Sequence, residues 1–256
     1  MLTRDAPVFL VLAALLGLAV GSFLNVLAWR LPRGLSLLGP GSFCPSCERR
    51  LSWWELVPVL SYLALRGRCR TCRARISPVY PAVEAGTAVL FAGAWARWGP
   101  GPQALGAAVL GSLLVAAAVV DARHRIIPDA VTLPGLGLGL LVSALNPEVG
   151  LLRALAGVLV GGGLLLGLAV LTNGGMGGGD IKLAAMMGAF LGWSGVGVAL
   201  LVGFMSGALV GGVMMLAGRK DRRDLMAFGP FLAAGGIAAA FWGQELVGWY
   251  LRVFFG

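Results

Sequence analysis

Charge is scarce in this 256-residue chain. Asp, Glu, Lys and Arg together make up 12% of it, half of the ~25% found in soluble globular domains, which argues against a water-soluble fold. Histidine is scarcer still: His124 is the only one, so no serine or cysteine triad competes for a catalytic reading. Its setting among Arg123 and Arg125 suggests a solvated side chain, not a ligand. What is abundant is apolar. Such residues make up 58% of the chain, in runs of about 20, the length that crosses a bilayer core as an α-helix.

The fold class expected is therefore an all-α polytopic membrane protein with about eight transmembrane helices. Spans are placed near 7–28, 81–98, 104–120, 128–145, 151–171, 181–193, 196–217 and 227–248. A single helix over 181–217 would be about 55 Å long, too long for one crossing, so two are expected. The first run is kept as a helix and not a secretory signal: it is too long for the apolar core of one and lacks a small-residue cleavage site. The 41 glycines serve largely as packing surface. Gly135/Gly139, Gly157/Gly161, Gly203/Gly207 and Gly207/Gly211 form the small-xxx-small pattern that lets helices approach closely in lipid.

Lys and Arg are distributed unevenly about these spans. Nine lie in 30–80, two in 121–127, one at Lys182 and four in 219–223, sixteen in all. The opposite side has Arg4, Arg97, Arg153 and Arg252. The positive-inside rule then makes the 30–80 loop cytoplasmic and sends both termini outward. The net charge of +9 is read as an orientation signal, with 219–223 also suited to anionic headgroups, and not as a nucleic-acid-binding feature. The domain organisation expected is a first transmembrane helix (1–29), a cytoplasmic loop domain (30–80) and a polytopic core (81–256).

That loop contains Cys44-Pro-Ser-Cys47 and Cys69-Arg-Thr-Cys72, separated by 21 residues. This is the spacing of a tetrahedral four-thiolate zinc site, with each Cys-x-x-Cys presenting two sulfurs. Disulfides are the alternative, and a reducing cytoplasm disfavours them. Four thiolates leave no position for a catalytic water, so the zinc would be structural.

Acidic residues at the ends of apolar spans are costly and commonly functional. Asp121 ends the third span and Asp180 opens the sixth, after Gly177-Gly178-Gly179. Two further crossings separate them, so both reach the cytoplasmic edge. A pair of nearby carboxylates shares one proton and supplies an acid and a base together. Such a pair can activate water against an amide without a covalent intermediate. The plainer alternative is that they cap helices or pair with Arg123, Arg125 or Lys182. Asp129 after Pro128 looks like first-turn helix chemistry. Glu84, just inside the second span, is equally compatible with a functional and an interfacial role.

Several motifs in order resemble the type IV prepilin peptidases. They are Gly21-Ser-Phe-Leu-Asn25-Val with Arg30-Leu-Pro32, the cysteine loop with Trp53, Pro58, Ser61-Tyr62 and Tyr80-Pro81-Ala-Val-Glu84, then Asp121 with Ile127-Pro128-Asp129, Gly177-Gly-Gly-Asp180-Ile-Lys182, and Phe228-Gly-Pro230-Phe. The resemblance runs from about residue 15 to 236. It implies that Asp121 and Asp180 are the catalytic pair of an aspartic endopeptidase in the bacterial cytoplasmic membrane, which cleaves a basic leader from prepilins or pseudopilins at the cytoplasmic face. With all four cysteines present, it also implies N-methylation of the new terminus from S-adenosylmethionine. No nucleotide-binding fingerprint marks a site for that donor. Rival readings are a cation or solute transporter with a zinc-ribbon loop, a non-enzymatic assembly subunit, and an intramembrane protease that cuts within apolar segments.

Overall fold

A computed structural model of the chain describes residues 6–218 and 226–255. The 219–223 basic cluster and Arg4 lie outside the described residues. The described residues are mostly helical, with no strands among them beyond two isolated bridges, both in the irregular cysteine loop. Eight helices are α1 (Ala6–Arg30), α2 (Leu60–Ala64), α3 (Val79–Trp98), α4 (Pro102–His124), α5 (Asp129–Leu145), α6 (Gly150–Leu171), α7 (Gly178–Leu216) and α8 (Gly229–Phe255). Every expected span is helical. Four helical stretches are long and apolar enough to cross a membrane: Pro7–Arg33, Pro102–His124, Gly150–Leu171 and Gly178–Leu216, with α5 a shorter apolar helix.

The chain packs as two compact units, one ending at Pro100 and the other beginning at Gly101. In the first, α1 lies on α3 so closely that a Cβ on Gly17 or Gly21 would fall 2.7 Å from the α3 backbone. By packing, α3 therefore groups with α1 and the cysteine loop. The second unit has a core of Leu114, Leu165, Leu183, Met186, Met187 and Leu232, all fully buried, contributed by α4, α6, α7 and α8.

Helix α7 holds the two crossings expected over 181–217. Its 39 residues contain one non-helical position, Gly192, at φ 69° and ψ 179°, a conformation that side-chain-bearing residues rarely adopt. A Cβ on Gly161 of α6 would lie 2.5 Å from the Ala184 carbonyl and 2.9 Å from the Val196 side chain. In a straight helix those two residues would stand about 18 Å apart. The chain therefore folds back at Gly192, and both limbs run along α6. The small-xxx-small glycines are at the contacts expected of them: Gly139 faces Phe190, Gly157 faces Gly188 and Gly192, and Gly203 faces Phe231 and Leu232.

Candidate functional site

Asp121 sits in the last turn of α4 and is 5% exposed. Its Oδ2 accepts the Gly229 N–H at 2.8 Å, across 108 residues of sequence. Local sequence explains why that amide is available. Gly229 opens α8, Pro230 has no N–H, and the Phe228 carbonyl accepts the amides of Phe231 and Leu232 at 3.0 and 3.1 Å. A Cβ at 229 would meet Oδ2 at 2.8 Å and the Asp121 Cβ at 3.0 Å, so only glycine lets α8 begin this close. Asp121 does act as a helix cap, as the plainer reading allowed, but for α8 and not for its own helix.

Asp180 is half-buried in the first turn of α7, where its N–H donates to the Gly177 carbonyl at 3.1 Å. It lies within electrostatic reach of Asp121. The preceding glycines allow close packing: a Cβ on Gly179 would come 2.9 Å from the Ile127 Cβ in the loop between α4 and α5. Immediately beside this contact, Lys182 Nζ donates to both carboxylate oxygens of Asp129 at 2.7 Å. That pair ties the start of α5 to the start of α7 and engages Lys182 away from the two candidate aspartates. Three stretches remote in sequence, 121–129, 177–182 and 228–230, thus meet around two carboxylates. Two carboxyls within electrostatic reach of one another resist ionising together, so the arrangement can set one acid and one base against a water and a carbonyl. His124 is exposed, as its sequence context suggested.

The cysteine loop, in the other unit, is an internal repeat with an offset of 25 residues. In the first knuckle the Cys44 N–H donates to Arg49 O at 3.0 Å, Glu48 to Cys44 O at 2.8 Å and Leu51 to Ser42 O at 2.9 Å. In the second, Cys69 donates to Ala74 O at 2.8 Å, Arg73 to Cys69 O at 3.1 Å and Ile76 to Gly67 O at 2.8 Å. Antiparallel bridges Phe43–Arg50 and Arg68–Arg75 close the two turns. Both place a residue at positive φ one step past the second cysteine, Glu48 at 57° and Arg73 at 58°. The four sulfurs of Cys44, Cys47, Cys69 and Cys72 all lie within 4.8 Å of one another, and none is in a disulfide. Cys44 and Cys72 are 3.8 Å apart, close to the ~3.8 Å edge of a tetrahedron with 2.3 Å metal–sulfur bonds. The cluster can hold a metal.

The Arg49 guanidinium braces the module. It donates to Glu55 at 2.7 and 2.9 Å, and Glu55 also accepts the Ser52 N–H at 2.9 Å. The Arg49 hydrogen bond holds the Glu55 carboxyl at about 2, well below its ordinary 4.5.

Glu84 is buried, 8% exposed, and its Oε2 accepts the Val59 N–H at 2.7 Å. Glu84 stands out in the sequence as an acid in an apolar run, Val59 does not, and Gly229 does so only as part of the Phe228-Gly-Pro230 motif. Nothing local in either stretch signals the distant carboxylate it meets.

Comparison with known proteins covers both units. The family model "Bacterial Peptidase A24 N-terminal domain" matches residues 15–98, and "Type IV leader peptidase family" matches residues 108–214. A prepilin leader peptidase/N-methyltransferase of Pseudomonas putida is 40% identical over 273 residues, 96% of this chain and 94% of that protein. One of Bacillus subtilis is 40% identical over 244 residues, 94% of this chain and 97% of that protein. One of Legionella pneumophila is 35% identical over 265 residues, covering 93% and 92%. No solved structure matches. With identities this high along nearly the whole length of both chains, this protein belongs to the type IV leader peptidase family.

Proposed function

We propose that this chain removes the leader peptide from prepilins or pseudopilins with Asp121 and Asp180 as the catalytic pair, and N-methylates the terminus so created. The observation that carries the peptidase assignment is the convergence of 121–129, 177–182 and 228–230 on those two carboxylates. Relatives matched over nearly the full chain carry both activities in their name.

The ionised member of the pair takes a proton from water as the oxygen attacks the scissile carbonyl. The protonated member donates a hydrogen bond to the carbonyl oxygen as it gains charge. Collapse of the tetrahedral adduct expels the amine, which takes up a proton from the pair, so the two carboxyls end as they began. The Gly229 N–H, fixed at the start of α8, sets the orientation of Asp121 throughout.

Cys44, Cys47, Cys69 and Cys72 are the residues that would hold a structural Zn2+, because their donor set and tetrahedral spacing fit that ion. When bound, S-adenosylmethionine supplies a methyl group to the amine lone pair, its sulfur keeping the bonding electrons. The cytoplasmic membrane, with the catalytic face cytoplasmic, is supported by the sixteen-to-four distribution of Lys and Arg.

A prepilin is an apolar helix behind a basic leader, so the bilayer itself can set the depth of the cut. The test is a substrate series in liposomes with the scissile bond moved stepwise into the apolar segment, followed by product sequencing. Cleavage confined to the leader junction is expected. Undiminished cleavage deep in the apolar segment would favour an intramembrane protease.

A further inference from the structure

Within the first unit, α1, α3 and the cysteine loop enclose a cavity of about 440 Å³, in the size range of small-molecule sites. Its lining includes Asn25, Trp29, Phe43, Tyr62, Tyr80 and Glu84. Four aromatic rings in one cavity suit stacking on a flat heterocycle and contact with a cation. Asn25 is 7% exposed and spends one amide N–H on the Tyr80 carbonyl at 3.0 Å, which fixes the side chain at the cavity wall.

Glu84 is the feature that packing alone does not explain. It is a buried carboxylate at the end of an apolar helix, a costly placement. Among the described residues no lysine or arginine pairs with it. Arg30 lines the same cavity, but its guanidinium donates to the Ser36 and Pro40 carbonyls. The carboxylate is instead held by the Val59 N–H and the Ser22 hydroxyl, and Val59 sits at φ 59° and ψ −49° with the Leu60 N–H donating to Pro58 O at 2.6 Å. That is a classic-handed γ-turn, rare and strained for a β-branched residue. Strain of this kind persists where its surroundings hold it, and functional sites are where it collects. Here it aims one amide at one acid, which faces an aromatic cavity and is in no ion pair among the described residues.

We propose that this cavity is the methyl-donor site, with Glu84 facing the cationic part of S-adenosylmethionine and the aromatic wall receiving its adenine. The proposal rests on the methylation reading above and adds its location. The donor is a sulfonium with an amino-acid tail and an adenosine. Of the two buried carboxylates in the lining, Glu55 is paired with Arg49, which leaves Glu84 among the aromatic rings to complement the donor's charge.

The test uses the full-length protein in detergent, without peptide substrate. Binding of S-adenosylmethionine and S-adenosylhomocysteine is measured by calorimetry for wild type and Glu84→Gln, with leader cleavage assayed on the same preparations. Glu84→Gln is expected to weaken S-adenosylmethionine binding about tenfold or more, with leader cleavage within about twofold of wild type. Loss for the sulfonium donor alone puts Glu84 at the sulfur, and equal loss for both ligands puts it at the amino-acid end. Either outcome supports the site. In parallel, wild type is photolabelled with 8-azido-S-adenosylmethionine, and the label is expected in peptides from 22–43 or 61–84. This arm decides the matter if Glu84→Gln fails to fold. Unchanged affinity in a folded Glu84→Gln, or label confined to 101–256, would overturn the location and leave methylation standing. A wild type that binds no donor, with or without prepilin, would overturn methylation itself and the site with it.

Discussion

The amide of Gly229 and the carboxylate of Asp121 meet at 2.8 Å across 108 residues of chain. This contact orders the centre: it fixes one candidate acid by a backbone group that cannot change rotamer. Gly229→Ala would drive a methyl group into Asp121 at 2.8–3.0 Å, so the carboxylate must shift. Because a displacement near 1 Å costs roughly 100-fold in a positioned reaction, kcat for leader cleavage should fall about 10- to 100-fold with KM little changed. Steady-state kinetics on a fluorogenic prepilin peptide measures both.

The Lys182–Asp129 pair is exposed on both sides, 44% and 55%, and such pairs contribute about 0–1 kcal/mol. It is read here as a brace and not as chemistry. Lys182→Met and Asp129→Asn should each reduce cleavage by less than about tenfold, with thermal stability lowered by no more than ~1 kcal/mol. Loss of all cleavage in either variant would move that residue into the catalytic machinery.

For the cysteine module, Cys69→Ser should lower the zinc content of the purified protein relative to wild type, and hydrogen exchange should show loss of protection over 42–76. Glu55→Gln removes the Arg49 brace with the knuckles intact. Glu55 titrates near 2 when folded and near 4.5 ordinarily, so its folded value is depressed. Its stabilisation is therefore present above about pH 4.5 and is lost as pH falls towards 2. The module of Glu55→Gln should melt lower than wild type at pH 7, and the difference should shrink over that window.

Much of this was legible beforehand because it is local or periodic. The 25-residue offset between Cys44 and Cys69 carries the two matching knuckles, and apolar run length locates every long helix. Length also required the chain to turn back within 181–217, which Gly192 does. The role of Gly229 was not legible, because Phe-Gly-Pro says only that a helix starts there and nothing about an aspartate 108 residues earlier. Val59 was hidden for a different reason. An apolar residue between Pro58 and Leu60 looks like ordinary packing, and a strained turn held by a distant carboxylate has no signature in the residue itself.

The most direct test of the central claim is leader removal by wild type, Asp121→Asn, Asp180→Asn and the double variant in liposomes, read by mass spectrometry. Asparagine keeps size and the ability to accept the Gly229 hydrogen bond while removing the titratable proton. Because two groups that act as one unit lose function together, each single variant should leave the leader attached, and the double variant should be no worse than either. Cleavage near the wild-type rate by either single variant would contradict the two-aspartate centre.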